Sequence, residues 1–308
     1  MTGFLGRRLA QALLQIWGAV TIVFIALRVL PGDPAELILG SQATPEQLAE
    51  LRTELGLDQS IIAQYFGHLL DVLRLDFGDS WRQGGSALDA TLERLGPTLS
   101  LSIWAMIFTV VLGFLAGTFA ARHANTVADH LVSVSSLVGQ ALPPFWIGIM
   151  LSLIFARLLQ ILPSTADGTM ASLLLPALTL ALPFVGWLGR LVRTGILEEM
   201  NQDYVRTARA KGLSRRVVFY IHVLRNTLVP VVTMLGLLMG FFIANGVIVE
   251  VVFAWPGIGS LLVDSITFRD YSVVEAVLTV VTVCYITLNL LVDVLYSYLD
   301  PRIQLENA

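Results

Sequence analysis

The sequence predicts an all-α membrane protein with six transmembrane helices and a small helical external insertion after the first span. Three observations carry this. Of 308 residues, 56% are hydrophobic and only 14% charged, with a mean hydropathy of +0.76. Soluble domains carry about 25% charged residues, so a water-soluble fold could not cover this much apolar surface. Six stretches approach the roughly 20 apolar residues that a helix needs to cross a bilayer. The short loops between them also share their cations unequally.

The six stretches fall at about 9–30, 98–121, 131–157, 173–192, 228–252 and 276–298. The first follows Arg7 and Arg8. Its apolar run is too long for a signal peptide's core, and no small-x-small cleavage site follows, so it reads as a retained anchor. The third contains Gln140, Pro143 and Pro144 and is expected to start late or break at the prolines. The pairs Gly113/Gly117 and Gly236/Gly240 fit close helix packing. The single cysteine, Cys284, excludes an internal disulfide.

Cations set the orientation. With the N-terminus inside, twelve cations face the cytoplasm, from Arg7 to Arg302, and six face outward, from Arg52 to Arg269. Both termini are then cytoplasmic. The domains are 1–30, the N-terminus and first span; 31–97, the external insertion; and 98–308, a five-span core with an inner loop at 193–227 and an outer loop at 253–275. Within the insertion, Thr44 caps a helix with Pro45 first and Gln47 three residues on, Leu48, Leu51 and Leu55 share a face, and Gly56 is the stop. Ile61, Ile62, Tyr65, Phe66, Leu69, Leu70 and Leu73 recur at helical spacing in a second helix. The insertion either packs on the rim of the membrane domain or contacts a partner.

Several chemistries are absent. His68, His123, His130 and His222 form no ligand pair at i, i+4 on one helix, and no Gly-x-Ser-x-Gly or His-Glu-x-x-His occurs, so no catalytic or metal residue is expected. A P-loop needs lysine directly after glycine, whereas the only lysine, Lys211, follows Ala210. The chain therefore lacks an ATPase motif of its own, and any driving energy comes from a partner or an ion gradient. Glu250 and Asp293 lie toward the ends of their spans. The centres offer amides and hydroxyls: Gln140, Asn245, Asn289, Thr233 and Thr282. Gln140, Asn245 and Asn289 are candidates to line a wet pathway, with interhelical hydrogen bonding as the plain alternative.

The most polar and basic stretch is "DYVRTARAKGLSRRVVFYIHVLRN", residues 203–226. Asn201 or Asp203 can cap a short helix that stops at Gly212, and Ser214 can cap the next. The second helix carries Val217, Val218, Ile221, Leu224 and Leu228 on one side, an apolar face continuing into the fifth span. Thr207, Ala208 and Ala210 leave the first helix thin enough for a cleft on another protein. At 253–275, Pro256, Gly257 and Gly259 suggest a tight turn in the outer loop.

Residues 203–226 resemble the cytoplasmic "EAA" loop of ABC importer permeases of the dipeptide/oligopeptide/nickel family, in its first-permease ("B"-type) branch. Gly212 matches the motif's glycine and Ala208 one of its alanines, while Arg206 stands where the general motif has glutamate. "RVLPGDPAELILG" at 28–40, "LDFGDSW" at 75–81, "PPFWIGIML" at 143–151 and "EVVFAWPGIGSLLVDSITFRDYSVVEA" at 250–276 extend the resemblance over nearly the whole chain. It implies a bacterial inner-membrane permease subunit that translocates di- or oligopeptides, with nickel or glutathione as alternatives; an ion-coupled secondary transporter is the reading from another class. It further implies two separate ATPase subunits, which hold ATP and Mg, a second homologous permease, and an external substrate-binding protein. The ATPases would grip Tyr204, Arg206, Ala208, Arg209, Lys211, Gly212 and Leu213. The binding protein would dock near Trp255, Pro256, Gly257, Gly259, Arg269 and Asp270.

Overall fold

A computed structural model describes residues 2–29, 43–54 and 56–299, together with Ala35 and Leu39. Leu55 and most of 30–42, including much of the stretch at 28–40 singled out above, lie outside the described residues. The elements are helical: α1 (Thr2–Val29), α2 (Pro45–Glu54), α3 (Ile61–Arg74), α4 (Ala87–Arg122), α5 (Val127–Ala141), α6 (Pro144–Leu158), α7 (Met170–Met200), α8 (Asp203–Ala210), α9 (Arg215–Val252), α10 (Ile258–Thr267) and α11 (Tyr271–Leu299). Five of them, α1, α4, α7, α9 and α11, are long and apolar enough to cross a membrane, and α5 with α6 makes a sixth span if the bent pair is counted as one. The protein is an all-α membrane protein.

The break in the third span follows from its prolines. Leu142 precedes Pro143 and is pushed into extended geometry (φ −82°, ψ 134°), and α5 and α6 diverge by 108° across it. Pro144 then opens α6, where its missing N–H costs no hydrogen bond. The last turns of α6, Ser152–Leu158, are π-helical.

Contacts divide the chain into two compact units, Met1–Gly96 with Gly257–Ala308, and Pro97–Pro256. In the first, Phe77, Ala87, Ile258, Leu261, Val273, Ala276 and Val277 form the core. The expected capping box closes α2: the Thr44 N–H donates to Gln47 Oε1 at 3.0 Å and the Gln47 N–H to Thr44 Oγ1 at 3.3 Å. Gly56 (φ +66°) follows in the left-handed region as the expected stop. Ser80 Oγ donates to the buried Asp270 carboxylate at 2.6 Å, and Arg82 lies over the Phe268 ring at 3.3 Å, so the segment after α3 is pinned to the end of α10.

In the second unit α7 is the hub, with 56% of its apolar stretch buried. Helix pairs in lipid gain little from hydrophobicity and must interlock closely. A Cβ placed on Gly117 would sit 2.4 Å from the Gly189 carbonyl, and one on Gly186 would sit 2.6 Å from the Ser136 carbonyl. Gly113 likewise faces Leu188, so the Gly113/Gly117 seam packs as expected. Glu250, fully buried, accepts from Thr98 Oγ1 at 2.6 Å.

The reversal after α9 differs from expectation. Gly257 is extended (φ −102°, ψ −179°) and Gly259 lies within α10. The left-handed residue is Ala254 (φ +49°): its N–H bonds to Val251 O at 3.3 Å and that of Trp255 to Glu250 O at 2.8 Å, which closes α9 without a glycine.

Gly117→Ala is expected to lower thermal stability in detergent by about 1–3 kcal/mol, because the added methyl meets backbone and Val192 that cannot retreat. Gly67→Ala, with open space around it, is expected to be neutral or stabilising by up to about 1 kcal/mol. Equal melting shifts for the two would contradict the close α4–α7 seam.

Candidate functional site

The basic stretch folds as helix, break and helix. Gln202, not Asn201 or Asp203, occupies the N-cap of α8, with no side-chain cap bond; Asn201 instead donates to Leu197 O at 2.9 Å and closes α7. At the other end Gly212 (φ +81°) takes the left-handed position: its N–H reaches Arg209 O at 3.0 Å, and that of Leu213 reaches Ala208 O at 3.3 Å. Ser214 caps the next helix as expected, accepting from Val217 N at 3.4 Å.

Only Val205 and Ala208 of α8 are buried, one turn apart, in a cluster with Val192 and Ile196 of α7 and Val218 and Val223 of α9. Arg206, Thr207, Arg209, Ala210, Lys211, Gly212 and Leu213 are exposed. The helix is thus seated on its own chain by two small contacts and turns all its cations outward. Ala208 belongs to the seat, which corrects its expected place on the gripped surface. Arg206 pairs with Asp203 at 3.4 Å, but both side chains are largely exposed, so the pair contributes little.

Tyr204 ties this helix to two spans. Its hydroxyl accepts from Asn226 Nδ2 of α9 at 2.9 Å and directs its proton to Glu199 at the end of α7, with the His222 carbonyl as a second, longer acceptor at 3.3 Å. Partial burial, then the Glu199 carboxylate, pushes the Tyr204 phenol above its ordinary pKa. Neighbouring ties stiffen the same rim. Arg193 grips the buried Asp129 of α5 through two bonds of 2.6 Å, a bidentate geometry that fixes direction as well as distance. Arg122, ending α4, donates to Tyr220 Oη at 3.0 Å and lies 4.7 Å from the Phe219 ring centre.

The expected apolar face of α9 is displaced. Val218–Val223 is π-helical, and its wider turn moves the inward face by one residue. Val218, Val223, Thr227, Val231 and Met234 are buried, whereas Ile221 and Leu228 point out.

The remaining candidates are scattered. Gln140 accepts from Arg190 at 2.6 Å and donates to Ser136 O at 3.1 Å, making it a tie between α5 and α7. Asn245 is exposed on α9 and donates to Phe241 O at 3.0 Å; Asn289 is half-buried on α11. The side chains of Thr233 and Asp293 lie outside the described residues. In the loop at 253–275 Trp255 is buried, its indole donating to Pro97 O at 3.0 Å, and Pro256 is exposed. In the other unit Gly257, Gly259 and Asp270 are buried while Arg269 (φ +58°) is exposed. Glu199, Asn226 and Asp129 are absent from the sequence-derived candidates. The acidic pair Glu198-Glu199 directly before the basic stretch was the available signal for the first.

A thin, exposed basic helix clamped to two spans is the most distinctive polar feature of this multi-pass helical membrane protein. Comparison with known proteins agrees. Residues 109–305 match the family described as "Binding-protein-dependent transport system inner membrane component", and residues 1–102 match its N-terminal domain. The chain is 38% identical over 304 residues, 99% of both chains, to the glutathione transport system permease protein GsiC of Salmonella typhimurium, and 36% identical over the same span to that of Escherichia coli K12. A crystal structure of an amino acid ABC transporter superposes with a TM-score of 0.53 at 16% identity, covering 67% of this chain and 92% of that one. The chain belongs to the inner-membrane components of binding-protein-dependent transport systems. It is a multi-pass ABC importer permease of the peptide/nickel group, a transport component and not a catalytic one.

Tyr204→Phe removes the hydroxyl and its ties to α7 and α9. Loss of about 1 kcal/mol of local stability should speed tryptic cleavage at Arg206, Arg209 and Lys211 about fivefold. An unchanged rate would show that the clamp does not hold α8 down.

Proposed function

We propose that this subunit translocates glutathione or other short peptides as one half of a permease pair, with α8 serving as the handle for separate ATPase subunits. The observation that carries this is the division of α8 into a two-residue seat and an exposed remainder bearing Arg206 and Arg209, with the exposed Lys211 following at its C-cap. Such a helix can fit a cleft, and the Tyr204 clamp passes its displacement to α7 and α9 together. The excess of cations in the loop that carries α8 supports a cytoplasmic α8 and cytoplasmic termini. ATP and Mg are held by the partner ATPases. The peptide-class solute is favoured by the GsiC relatives, whose printed function is glutathione transport.

Solute passes between this chain and a second, homologous permease, with the exposed Asn245 of α9 as a lining candidate. The exposed Pro256 and Arg269 offer contact to an external binding protein, while the buried Trp255, Gly257, Gly259 and Asp270 set the shape of the outer segments. The cargo is recognised by the binding protein, because the spans offer few fixed charges.

The test is uptake of radiolabelled glutathione and of a dipeptide by proteoliposomes holding all subunits, with the permease carrying Arg209→Glu and Lys211→Glu. Charge reversal on the exposed face is expected to cut uptake about tenfold or more, the equivalent of about 1.4 kcal/mol, with membrane insertion and melting temperature unchanged. Wild-type uptake by the variant would refute the handle. Uphill uptake by the purified chain alone would refute the importer assignment.

A further inference from the structure

We infer that α3 is a lipid-contacting interfacial helix, its apolar stripe seated in the acyl region of the leaflet at the Val29 end of α1. The stripe is Ile62, Phe66, Leu70 and Leu73, successive members about one helical turn apart, and each is 52% to 81% exposed. Four such side chains in water would form an apolar patch of the kind that soluble surfaces avoid. The rest of the helix is already committed. Tyr65 and His68 pack toward the spans: Phe24 of α1 lies 5.4 Å and 5.3 Å from their rings, and the His68 Nδ1–H donates to Glu275 of α11 at 2.7 Å. Asp71 and Gly67, on the polar side, line a cavity of about 520 Å³ with Arg28 and Glu275.

Depth identifies the occupant. The Tyr65 hydroxyl and Thr21 Oγ1 are hydrogen-bonded at 2.7 Å. Thr21 lies eight residues before Val29, about 12 Å down α1 at 1.5 Å per residue, and Phe24 about 7 Å down. Arg28, one residue from the helix end, donates to Gln64 of α3 at 2.9 Å, at the level where a long cation reaches the headgroups. The Phe24 contact therefore draws α3 below the end of the span, within the roughly 5–10 Å that interfacial helices sink, while the tip of the Tyr65 side chain reaches somewhat deeper to Thr21. The stripe is also continuous in character with the exposed apolar surface of α1, Ile22, Ile25 and Val29, which lies within a membrane span. Lipid that covers α1 at this depth covers the stripe.

The experiment places single cysteines by Phe66→Cys or Leu73→Cys in the full chain carrying Cys284→Ser. Each is labelled with a nitrobenzoxadiazole fluorophore in nanodiscs, both alone and assembled with its partner subunits. Ile25→Cys supplies the lipid reference and the exposed Glu50→Cys the aqueous one. Quenching by doxyl-labelled lipid at positions 66 and 73 is expected within about twofold of that at position 25, with iodide quenching several-fold below that at position 50, in both preparations. Iodide quenching equal to that at position 50 would place the stripe in water and overturn the proposal. Lipid quenching that vanishes on assembly would overturn it too, by showing that a protein partner covers the face. These outcomes are independent of which solute the complex carries.

Discussion

The structure depends on how closely backbone can approach backbone along α7. Lipid is as apolar as leucine, so spans are held by contact rather than by expulsion of water. Gly117 and Gly186 remove the side chains that would keep α4 and α5 away, and Gly189 and Ser136 supply the carbonyls they meet. Once α7 is held on both sides, the polar ties at one rim become possible. Arg193 reaches Asp129 and Arg190 reaches Gln140 only because α5 lies directly against α7.

On the proposed coupling role, that rim is what would let a helix of eight residues carry force. Val205 and Ala208 alone bury too little surface to hold α8 against a pull, and Gly212 leaves its far end free to turn. Tyr204 adds direction, since its hydroxyl faces Glu199 and Asn226 on different spans. Arg122 anchors the π-helical base of α9 to the end of α4. A displacement applied to the exposed cations is therefore shared among α4, α7 and α9.

Much of this was legible in the sequence, and the exceptions share a cause. The Thr44–Gln47 capping box, the stops at Gly56 and Gly212, the cap at Ser214 and the break at Pro143 were readable because each depends on a few adjacent residues. The Gly113/Gly117 seam was readable because its spacing is the helix's own. The π turn at Val218–Val223 left no such mark, and with it went the face assigned to Ile221 and Leu228. Ala254 took a left-handed conformation usually given to glycine because the contacts around it, including the buried Trp255 indole on Pro97, hold the chain there. Ala208 was read as surface because smallness suits a cleft and a tight seat equally. The partners of Tyr204 depend on three segments meeting, which local patterns do not encode.

Lys211 is exposed beside the break after α8 and is the only lysine in the chain. Apart from the terminal amine, the polypeptide thus carries one primary amine, at the element that other subunits are expected to grip. Acylation there would erase a positive charge while leaving the arginines intact, so this subunit offers a single chemical address for blocking, crosslinking or marking its own control point.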